Sequence, residues 1–408
     1  MNNKIDIKTI LDELVIDVKF QPIVSVVRKS VIGLDGISMG ADLSGNFLPL
    51  VELFDCAEKS NCEIDLDRLI REKIVEEFNK VCTDDEKLLF ISINMAVILE
   101  FVGSGIILDL VNKFNINPQN VVLEIYDNNI EDVEVLQQFI TSYRSKGFLV
   151  AVTIGSGFAN LDKISNVEPD IIKISEAITK DIEMDFYKQE VFKSLVNLSK
   201  KISALVVADG ITVEDQAITS MELGADMLQG NYFGQYENIN TNLLSSVEKK
   251  VHHIASQYKK YQKEQIEFEK SNHKKYEKFL NDVINKLSII EESDFNNKIN
   301  EFFTKYDAFE CVYILDESGI QVSDTATHFR NMLSQKSLIF KPAKKGTDHS
   351  LKKYYYFLKN MGLNKYVTDP YISLASGNLC ITISEKFQGI NNKNYILCID
   401  FNPNYINL

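Results

Sequence analysis

Residues 148–161, FLVAVTIGSGFANL, decide the fold of this 408-residue chain. A continuous run of apolar and β-branched residues breaks into a turn with two glycines, which is typical of a buried parallel strand that leads into a loop. Where parallel strands close into a barrel, catalytic side chains lie at the C-terminal ends of the strands. The residues at that end of this strand are Val152 and Thr153. Neither can carry a negative charge.

Strand and helix patterns alternate along the first half of the chain on both sides of this stretch. Strand patterns occupy residues 18–26, 31–39, 88–95, 121–126, 148–153, 171–174, 204–208 and 226–228. Segments with helical periodicity connect most of them. Repeated strand–helix units predict a parallel sheet, and about eight strands within roughly 235 residues favour an α/β fold of the TIM-like (β/α)8 barrel type.

Two further segments follow the barrel pattern. Residues 239–290 contain no glycine or proline, which predicts one long connecting helix. Its apolar seam, which includes Leu244, Val247 and Val251, fits either a short coiled coil or a single amphipathic helix that packs on its own barrel. Residues 291–408 change to an α+β pattern typical of a small sensor-like domain. We therefore expect a barrel over residues 1–238, the connecting helix and a C-terminal domain.

Composition narrows the class of partners. The chain is 45% hydrophobic, with a formal net charge of -14 and a pI near 5.0. This acidic balance argues against binding to nucleic acid polymers or anionic membranes. No apolar run is long enough to span a bilayer, and no secretory signal pattern is present, so we expect a cytoplasmic protein without membrane insertion. Six cysteines without CxxC spacing predict buried thiols rather than a metal or disulfide framework.

Polar residues occur at the predicted C-terminal ends of most strands. A single polar residue at a strand end commonly caps the following helix, but seven on one face of a barrel indicate a site, present or ancestral. The seven residues are Gln21, Asp35, Asn94, Glu124, Lys173, Asp209 and Gln229.

The motifs around these residues resemble those of the EAL family of cyclic di-GMP phosphodiesterases over residues 5–236. The matching motifs are FQPIV at 20–24, SINMA at 92–96, LEIYD at 123–127, IKIS at 172–175, ADGI at 208–211 and QGNYFG at 229–234. Their order and spacing are specific for the fold. The resemblance therefore implies an EAL-type TIM-like barrel that acts in cyclic di-GMP signalling.

The resemblance also implies a chemistry, the hydrolysis of a phosphodiester by two divalent metal ions. Of the implied metal ligands, this chain keeps Asn94 and Glu124, and Asp35 stands in place of the glutamate of the EAL triplet. Val152 and Thr153 replace two adjacent aspartates. The resemblance therefore predicts only a vestigial metal site and no resident Mg²⁺ or Mn²⁺.

Two further positions belong to the implied catalytic machinery. Lys173 is kept, while the shorter Asp209 replaces a glutamate that is a candidate general base. Shortening a side chain by one methylene displaces its carboxylate by about 1.5 Å, which can cost about a hundredfold in rate. Both residues are predicted to be vestigial.

Binding of the nucleotide is a separate question from its hydrolysis, because side chains can bind a phosphate without a metal ion. Gln21, Asp35, Lys173 and Gln229 are the predicted nucleotide-binding residues. Met39 stands where the family has an arginine, and methionine cannot make bidentate bonds to a phosphate. This change predicts weak binding of cyclic di-GMP.

The C-terminal segment resembles the Cache and PAS-like sensor domains that follow some EAL domains. The resemblance is carried by YVTDPYISLASG at 366–377, ITIS at 381–384 and a last strand that ends at Asp400. It implies that Tyr355, Tyr371 and Asp400 contact an unknown small ligand, an amine or a carboxylate. The alternative is that the tyrosines belong to the core and that Asp400 caps a strand end.

These patterns predict a catalytically inactive EAL-type regulatory protein of cyclic di-GMP signalling. It would bind a protein partner or form a homodimer, under the control of weak nucleotide binding or of a sensor ligand. Two alternatives stay open. One is an active cyclic di-GMP phosphodiesterase with altered metal ligation, which would need Mg²⁺ or Mn²⁺, and the other is a receptor that binds cyclic di-GMP without cleaving it.

Overall fold

The computed structural model describes residues 16–41, 47–48, 50–82, 86–93, 105–126, 133–155, 161–305, 309–327, 340–390 and 392–402. The chain divides into two compact units, Met1–Gln262 and Lys263–Leu408. Asn94, a predicted metal ligand, lies outside the described residues. The side chain of Met39 also lies outside them.

The first unit contains a closed barrel of eight strands. β1 (Ile16–Ser25) forms an antiparallel hairpin with β2 (Ser30–Ala41), which β3 (Phe47–Leu48) extends on the outside. The strands from β4 to β9 run parallel to β2 and to one another, and β9 pairs antiparallel with β1 to close the ring. They are β4 (Leu88–Ser92), β5 (Val121–Tyr126), β6 (Leu149–Ile154), β7 (Ile171–Ile174), β8 (Leu205–Ala208) and β9 (Met227–Gln229). The predicted TIM-like α/β barrel is confirmed, with an antiparallel first strand.

Helices connect the parallel strands and cover the outside of the barrel. Those described are α1 (Leu50–Ser60), α2 (Glu63–Val81), α3 (Ile106–Lys113), α4 (Val133–Arg144), α5 (Leu161–Val167), α6 (Glu176–Thr179), α7 (Phe186–Lys201) and α8 (Glu214–Glu222). The amphipathic pattern of these segments explains why they pack on the outside of the barrel. Their apolar residues, such as Leu136, Phe139 and Phe192, are buried against outward-facing residues of the strands.

The alternation of side chains along each strand divides the barrel core into two layers. Outward residues such as Leu123, Val150 and Ile172 pack against the helices. Inward residues of seven strands form a separate apolar ring, which consists of Ile23, Phe90, Val122, Ala151, Ile171, Val207 and Met227. The polar side chains occupy the next inward position on each strand. This position lies two residues further towards the mouth of the barrel, the end at which the parallel strands finish.

The long helix α9 (Thr241–Leu287) begins in the first unit and ends in the second. Val247, Val251 and Ile254 are buried in the strand–helix cluster of the barrel, and Leu244 packs against it. This part of the apolar seam therefore packs on the barrel, and the choice between a coiled coil and a single amphipathic helix stays a prediction. None of the described helices, this one included, combines the length and apolar character that crossing a bilayer requires.

The second unit contains an antiparallel sheet with strand order β11-β10-β15-β14-β12, and β13 pairs with β14. The strands are β10 (Phe309–Asp316), β11 (Ala326–Thr327), β12 (Lys365–Val367), β13 (Tyr371–Ile372), β14 (Leu379–Gln388) and β15 (Asn394–Phe401). One face packs on α10 (Phe295–Lys305) and on the end of α9, through residues such as Phe295 and Leu287. The other face packs on α11 (Lys353–Asn360). The predicted α+β pattern is present, whereas the Cache or PAS-like assignment stays a prediction.

Candidate functional site

The polar side chains at the mouth of the barrel form one buried cluster. Glu124, Thr153, Lys173 and Gln229 each lie two residues beyond a member of the apolar ring, so their side chains point inward. Asp35, on β2, meets them across the mouth. All of them are at most 5% exposed. The strand period therefore explains why residues far apart in sequence converge on one site.

The Lys173 ammonium group lies between the two carboxylates of this cluster. Its Nζ is 2.8 Å from Asp35 Oδ2 and 3.1 and 3.2 Å from the two oxygens of Glu124. Thr153 Oγ1 donates a hydrogen bond to Glu124 Oε1 at 2.5 Å. Both Glu124 oxygens and one Asp35 oxygen thus already have partners within the protein.

The mutual attraction of these groups fixes their charge states. Burial would lower the pKa of Lys173, but attraction to Asp35 and Glu124 holds it well above its ordinary value. Burial would raise the pKa of Asp35, but attraction to Lys173, helped by hydrogen bonds, holds it below its ordinary value. The pKa of Glu124 is raised because its burial outweighs the attraction of Lys173 and because Asp35 repels it. Lys173 and Asp35 therefore form a charged pair at neutral pH.

Asp35 also accepts hydrogen bonds from uncharged side chains. Gln229 Nε2 donates to Asp35 Oδ2 at 2.8 Å and to Gln21 Oε1 at 2.9 Å. The hydroxyl group of Tyr236 donates to the same Asp35 oxygen at 3.0 Å. Gln21 in turn donates to Asn231 Oδ1 at 3.1 Å and to a backbone carbonyl. The four predicted nucleotide-binding residues are thus brought together by direct contacts.

Tyr236 and Asn231 belong to this site but escape the sequence analysis. Both lie in the segment after β9, where neither a strand end nor a periodic pattern marks them. The signal that could have found them is the QGNYFG motif, which contains Asn231 and ends two residues before Tyr236. Among the described residues, Asp35 Oδ1 and Gln229 Oε1 are buried acceptors without a hydrogen-bond partner.

Asp209 is adjacent to this cluster but outside its ion pairs. Its carboxylate accepts a hydrogen bond from the backbone of Gly210 at 2.7 Å, and its carbonyl oxygen accepts one from Thr179. Burial raises the pKa of Asp209, against the attraction of Lys173. The salt bridges among the described residues pair Lys173 with Asp35 and Glu124 and do not include Asp209.

The described residues of this cluster do not fit a pair of divalent metal ions. Thr153 points inward and donates to Glu124, while Val152 points outward and is buried in the strand–helix cluster. Two divalent ions need several anionic oxygens, yet a lysine ammonium already occupies the space between Asp35 and Glu124. Within the described part of the chain, no three His, Cys, Asp or Glu side chains form a group that could hold a metal.

The second unit brings together two of its three predicted ligand residues. Tyr371 and Asp400 line one cavity of about 300 Å³. Tyr355 lies elsewhere, where its hydroxyl donates to the carbonyl oxygen of Glu317 at 2.8 Å. The neighbouring Tyr354 lines the cavity instead. A helix places adjacent side chains about 100° apart, so a run of three tyrosines did not reveal which one faces the ligand space.

A closed barrel with an antiparallel first hairpin and a polar, charged mouth defines a variant of the TIM-barrel class of α/β proteins. The chain belongs to the EAL domain family, whose model matches residues 9–236. The resemblance seen in the sequence is thereby confirmed, and with it a place in the family of cyclic di-GMP phosphodiesterases.

Two relatives show how far the similarity extends. The EAL-domain containing protein YkuI of Bacillus subtilis is 24% identical over 402 residues, 94% of each chain. Its crystal structure in complex with cyclic di-GMP and calcium superposes with a TM-score of 0.78 at 21% identity, covering 98% of this chain and 99% of that one. The Klebsiella pneumoniae BlrP1 complex with manganese and cyclic di-GMP covers 54% of this chain and 56% of its own, with 19% identity and a TM-score of 0.50.

Another relative matches a smaller part of the chain. The probable cyclic di-GMP phosphodiesterase PdeA of Escherichia coli is 26% identical over 191 residues, which are 46% of this chain but only 26% of PdeA. The similarity to YkuI, in contrast, includes the second unit.

Proposed function

We propose that this chain is a regulatory EAL protein of cyclic di-GMP signalling that does not hydrolyse the nucleotide. The observation that carries the proposal is the Lys173 ammonium group, which lies within 3.2 Å of both Asp35 and Glu124. An internal cation thus already pairs with two of the carboxylates that the resemblance assigns to the metal site.

A count of charges supports the same proposal. Two divalent ions carry four positive charges, which anionic ligands must largely neutralise. The described residues at the mouth supply three carboxylates, those of Asp35, Glu124 and Asp209, and Lys173 already offsets one of them. A second divalent ion would therefore lie in a low-dielectric site with excess positive charge, which is strongly unfavourable.

The output of such a protein would be the binding of a protein partner or of a second copy of the chain. The contacts of α9 with the mouth of the barrel support this role. Lys250, on α9, donates to the carbonyl oxygens of Tyr232 and Phe233 at 2.8 and 3.3 Å. These two residues lie between Gln229 and Tyr236, which both bind Asp35. The segment 229–236 therefore contacts both Asp35 and the helix.

A second candidate is a receptor that binds cyclic di-GMP without cleaving it. The complex of YkuI with cyclic di-GMP and calcium favours it, because YkuI matches this chain over nearly its whole length. The unpaired acceptors Asp35 Oδ1 and Gln229 Oε1 at the mouth also favour it, since buried acceptors without partners are costly and a ligand donor would satisfy them.

The test is to incubate the purified full chain with cyclic di-GMP and Mg²⁺ or Mn²⁺ and to follow the linear product. We expect no turnover above that of the buffer. Turnover that disappears in Glu124→Gln but persists in the surface variant Glu72→Gln would establish an active phosphodiesterase instead. Calorimetry with the same nucleotide separates the other two functions, because saturable binding without turnover identifies a receptor.

A further inference from the structure

One segment of the second unit concentrates positive charge on an otherwise acidic chain. Residues 341–353 contain a single acidic residue, Asp348, and five lysines, which are Lys341, Lys344, Lys345, Lys352 and Lys353. All five lysines are exposed. Among the described residues, Lys345 pairs with Glu292 at 3.5 Å, and no salt bridge involves the other four lysines. The fold therefore leaves most of this positive charge without a countercharge.

Apolar side chains are exposed beside these lysines. Leu351 directly precedes Lys352 and, at 93%, is the most exposed of the large apolar side chains that the structure describes. Ile372 and Leu374 are 53% and 48% exposed, and they line the same cavity as Lys341 and Lys352. The contacts of that cavity thus bring residues from two segments together. The basic rim is the name used below for Lys341, Leu351, Lys352, Lys353, Ile372 and Leu374.

The turn that carries Leu351 is anchored in the core. The backbone N–H of Lys352 donates to the carbonyl oxygen of His349 at 2.9 Å, which closes a turn with Leu351 at its third position. The His349 side chain is buried, and its two ring nitrogens contact the hydroxyl of Tyr354 at 2.6 Å and Gln321 Oε1 at 2.8 Å. The exposure of Leu351 is therefore built into an anchored turn.

This combination of side chains fits a bilayer surface. Lysine side chains can extend their ammonium groups to lipid phosphates while a neighbouring apolar side chain enters the boundary between headgroups and acyl chains. Tyr356, on α11, lies one helical turn after Lys352 and is 54% exposed, and tyrosine rings favour the level of the headgroups. A protein partner would need a pocket for Leu351, whereas a bilayer accepts a protruding side chain without one.

The net charge of the chain does not oppose such a contact. The acidic balance, which argues against binding to anionic membranes, is an average over all 408 residues. At physiological ionic strength, charges further apart than about 10 Å are largely screened from one another. The lipid headgroups would therefore interact mainly with the lysines of the basic rim and with Asp348.

We propose that the basic rim docks the second unit on the surface of a bilayer that contains anionic lipids. Leu351 enters the interfacial region, and Lys352 and Lys353 lie at the headgroups beside it. Each lysine held near an anionic surface strengthens binding about fivefold. The proposal goes beyond the function of the barrel and holds whether or not the barrel hydrolyses cyclic di-GMP.

The test measures flotation of the full chain with two kinds of vesicle, phosphatidylcholine mixed with phosphatidylglycerol and phosphatidylcholine alone. We expect binding to the anionic vesicles only, and weaker binding as the salt concentration rises. Equal binding to both kinds, or binding to neither, would overturn the proposal. Binding of a polyglutamate peptide without binding of anionic vesicles would assign the basic rim to an acidic protein and would also overturn it.

A pair of lysine variants tests the charge of the rim. Lys352→Gln combined with Lys353→Gln should weaken binding to the anionic vesicles by about twentyfold. Lys274→Gln combined with Lys275→Gln removes the same charge at an exposed pair on α9 and should leave the affinity unchanged. Equal losses in the two double variants would show that only the overall charge matters, which contradicts a site at the rim.

A leucine variant tests the apolar contact. Leu351→Ser keeps the charge and should weaken binding by about tenfold, because the side chain no longer leaves water on docking. Ile289→Ser is the matched control at another exposed apolar position, 71% exposed, and should bind as the wild type does. All four changes are at exposed positions, so each variant is expected to fold. Wild-type affinity in Leu351→Ser would refute the insertion of this side chain.

Discussion

Replacing Lys173 with methionine tests the internal ion pair of the barrel. The change keeps a side chain of similar length but leaves Asp35 and Glu124 buried without a cation. Breaking a buried ion pair by removing one partner costs about 3–5 kcal/mol, because the remaining charge loses both its solvation and its partner. We expect a loss of unfolding free energy of this size at pH 7.

The loss should shrink as the pH falls. In the intact chain the Lys173–Asp35 pair stabilises the fold above the unfolded pKa of Asp35, and this contribution is lost as the pH falls through its lowered folded pKa. In the variant the attraction of Lys173 is absent, so burial and the mutual repulsion of Asp35 and Glu124 outweigh the remaining hydrogen bonds and raise both folded pKa values. Folding then takes up protons, so the variant gains stability relative to the wild type on acidification.

Hydrogen exchange measured by mass spectrometry in a denaturant series resolves the barrel from the second unit. Peptides covering β5 and β7 report the unfolding free energy of the barrel. The control is Lys113→Met, which breaks a surface pair whose Nζ–Oε1 distance to Glu72 is 2.6 Å but whose side chains are 60% and 43% exposed. That change should cost about 0–1 kcal/mol.

A double variant completes the experiment. Lys173→Met combined with Glu124→Gln removes one of the two uncompensated carboxylates and should recover part of the lost stability. The reasoning is refuted if Lys173→Met costs no more than Lys113→Met, because the buried ammonium would then contribute nothing beyond a surface charge.

Three further predictions concern other parts of the chain. Burial raises the pKa of Asp400 to about 7. Its contribution to the stability of the second unit is therefore present below its unfolded pKa near 4 and is lost as the pH rises to about 7, by on the order of 4 kcal/mol. Unfolding measured as a function of pH should show this loss, and Asp400→Asn should flatten the profile. Gly230 has φ +145° and an added Cβ would collide with the backbone of Ile211, so Gly230→Ala should destabilise the barrel by about 1–3 kcal/mol in denaturant titrations. Val251→Asp places an unpaired charge in the barrel cluster and should cost about 3–5 kcal/mol, with faster amide exchange in the first half of α9.

The barrel could be predicted from the sequence because its signal is local and repeated. Each strand, such as β6, is a short run of β-branched residues followed by a turn, and each run is followed by a helical segment. The antiparallel hairpin of β1 and β2 is visible as two strand patterns joined by a short turn. The closure of the ring by β9 and β1 depends on contacts between the ends of the domain, which no local pattern contains.

The site could be predicted only in part. The strand-end pattern identified Asp35, Glu124 and Lys173 as candidate site residues. Which of them contact one another depends on which alternate residues of each strand point into the barrel. The same rule separates Val152, which faces the helices, from Thr153, which faces the site. Tyr236 reaches Asp35 from a loop, and loop geometry follows from tertiary contacts rather than from sequence period.

The ligand residues of the second unit could also be predicted only in part. The late position of Asp400 in a closing strand indicated a polar group at a strand end, and the structure places it in a cavity with Tyr371. The choice among adjacent tyrosines on α11 depends on the rotation of that helix on the sheet. Packing against Leu315 and Ile396 sets this rotation, and the sequence alone does not specify it.

Titration of the full chain with Mn²⁺, with and without cyclic di-GMP, bears most directly on the idea that the carboxylates at the mouth, already paired with Lys173, do not hold two metal ions. Electron paramagnetic resonance counts the free and bound ion at each step. We predict no stoichiometric Mn²⁺ site in either condition. Two Mn²⁺ ions bound per chain, with both lost in Glu124→Gln, would contradict the account.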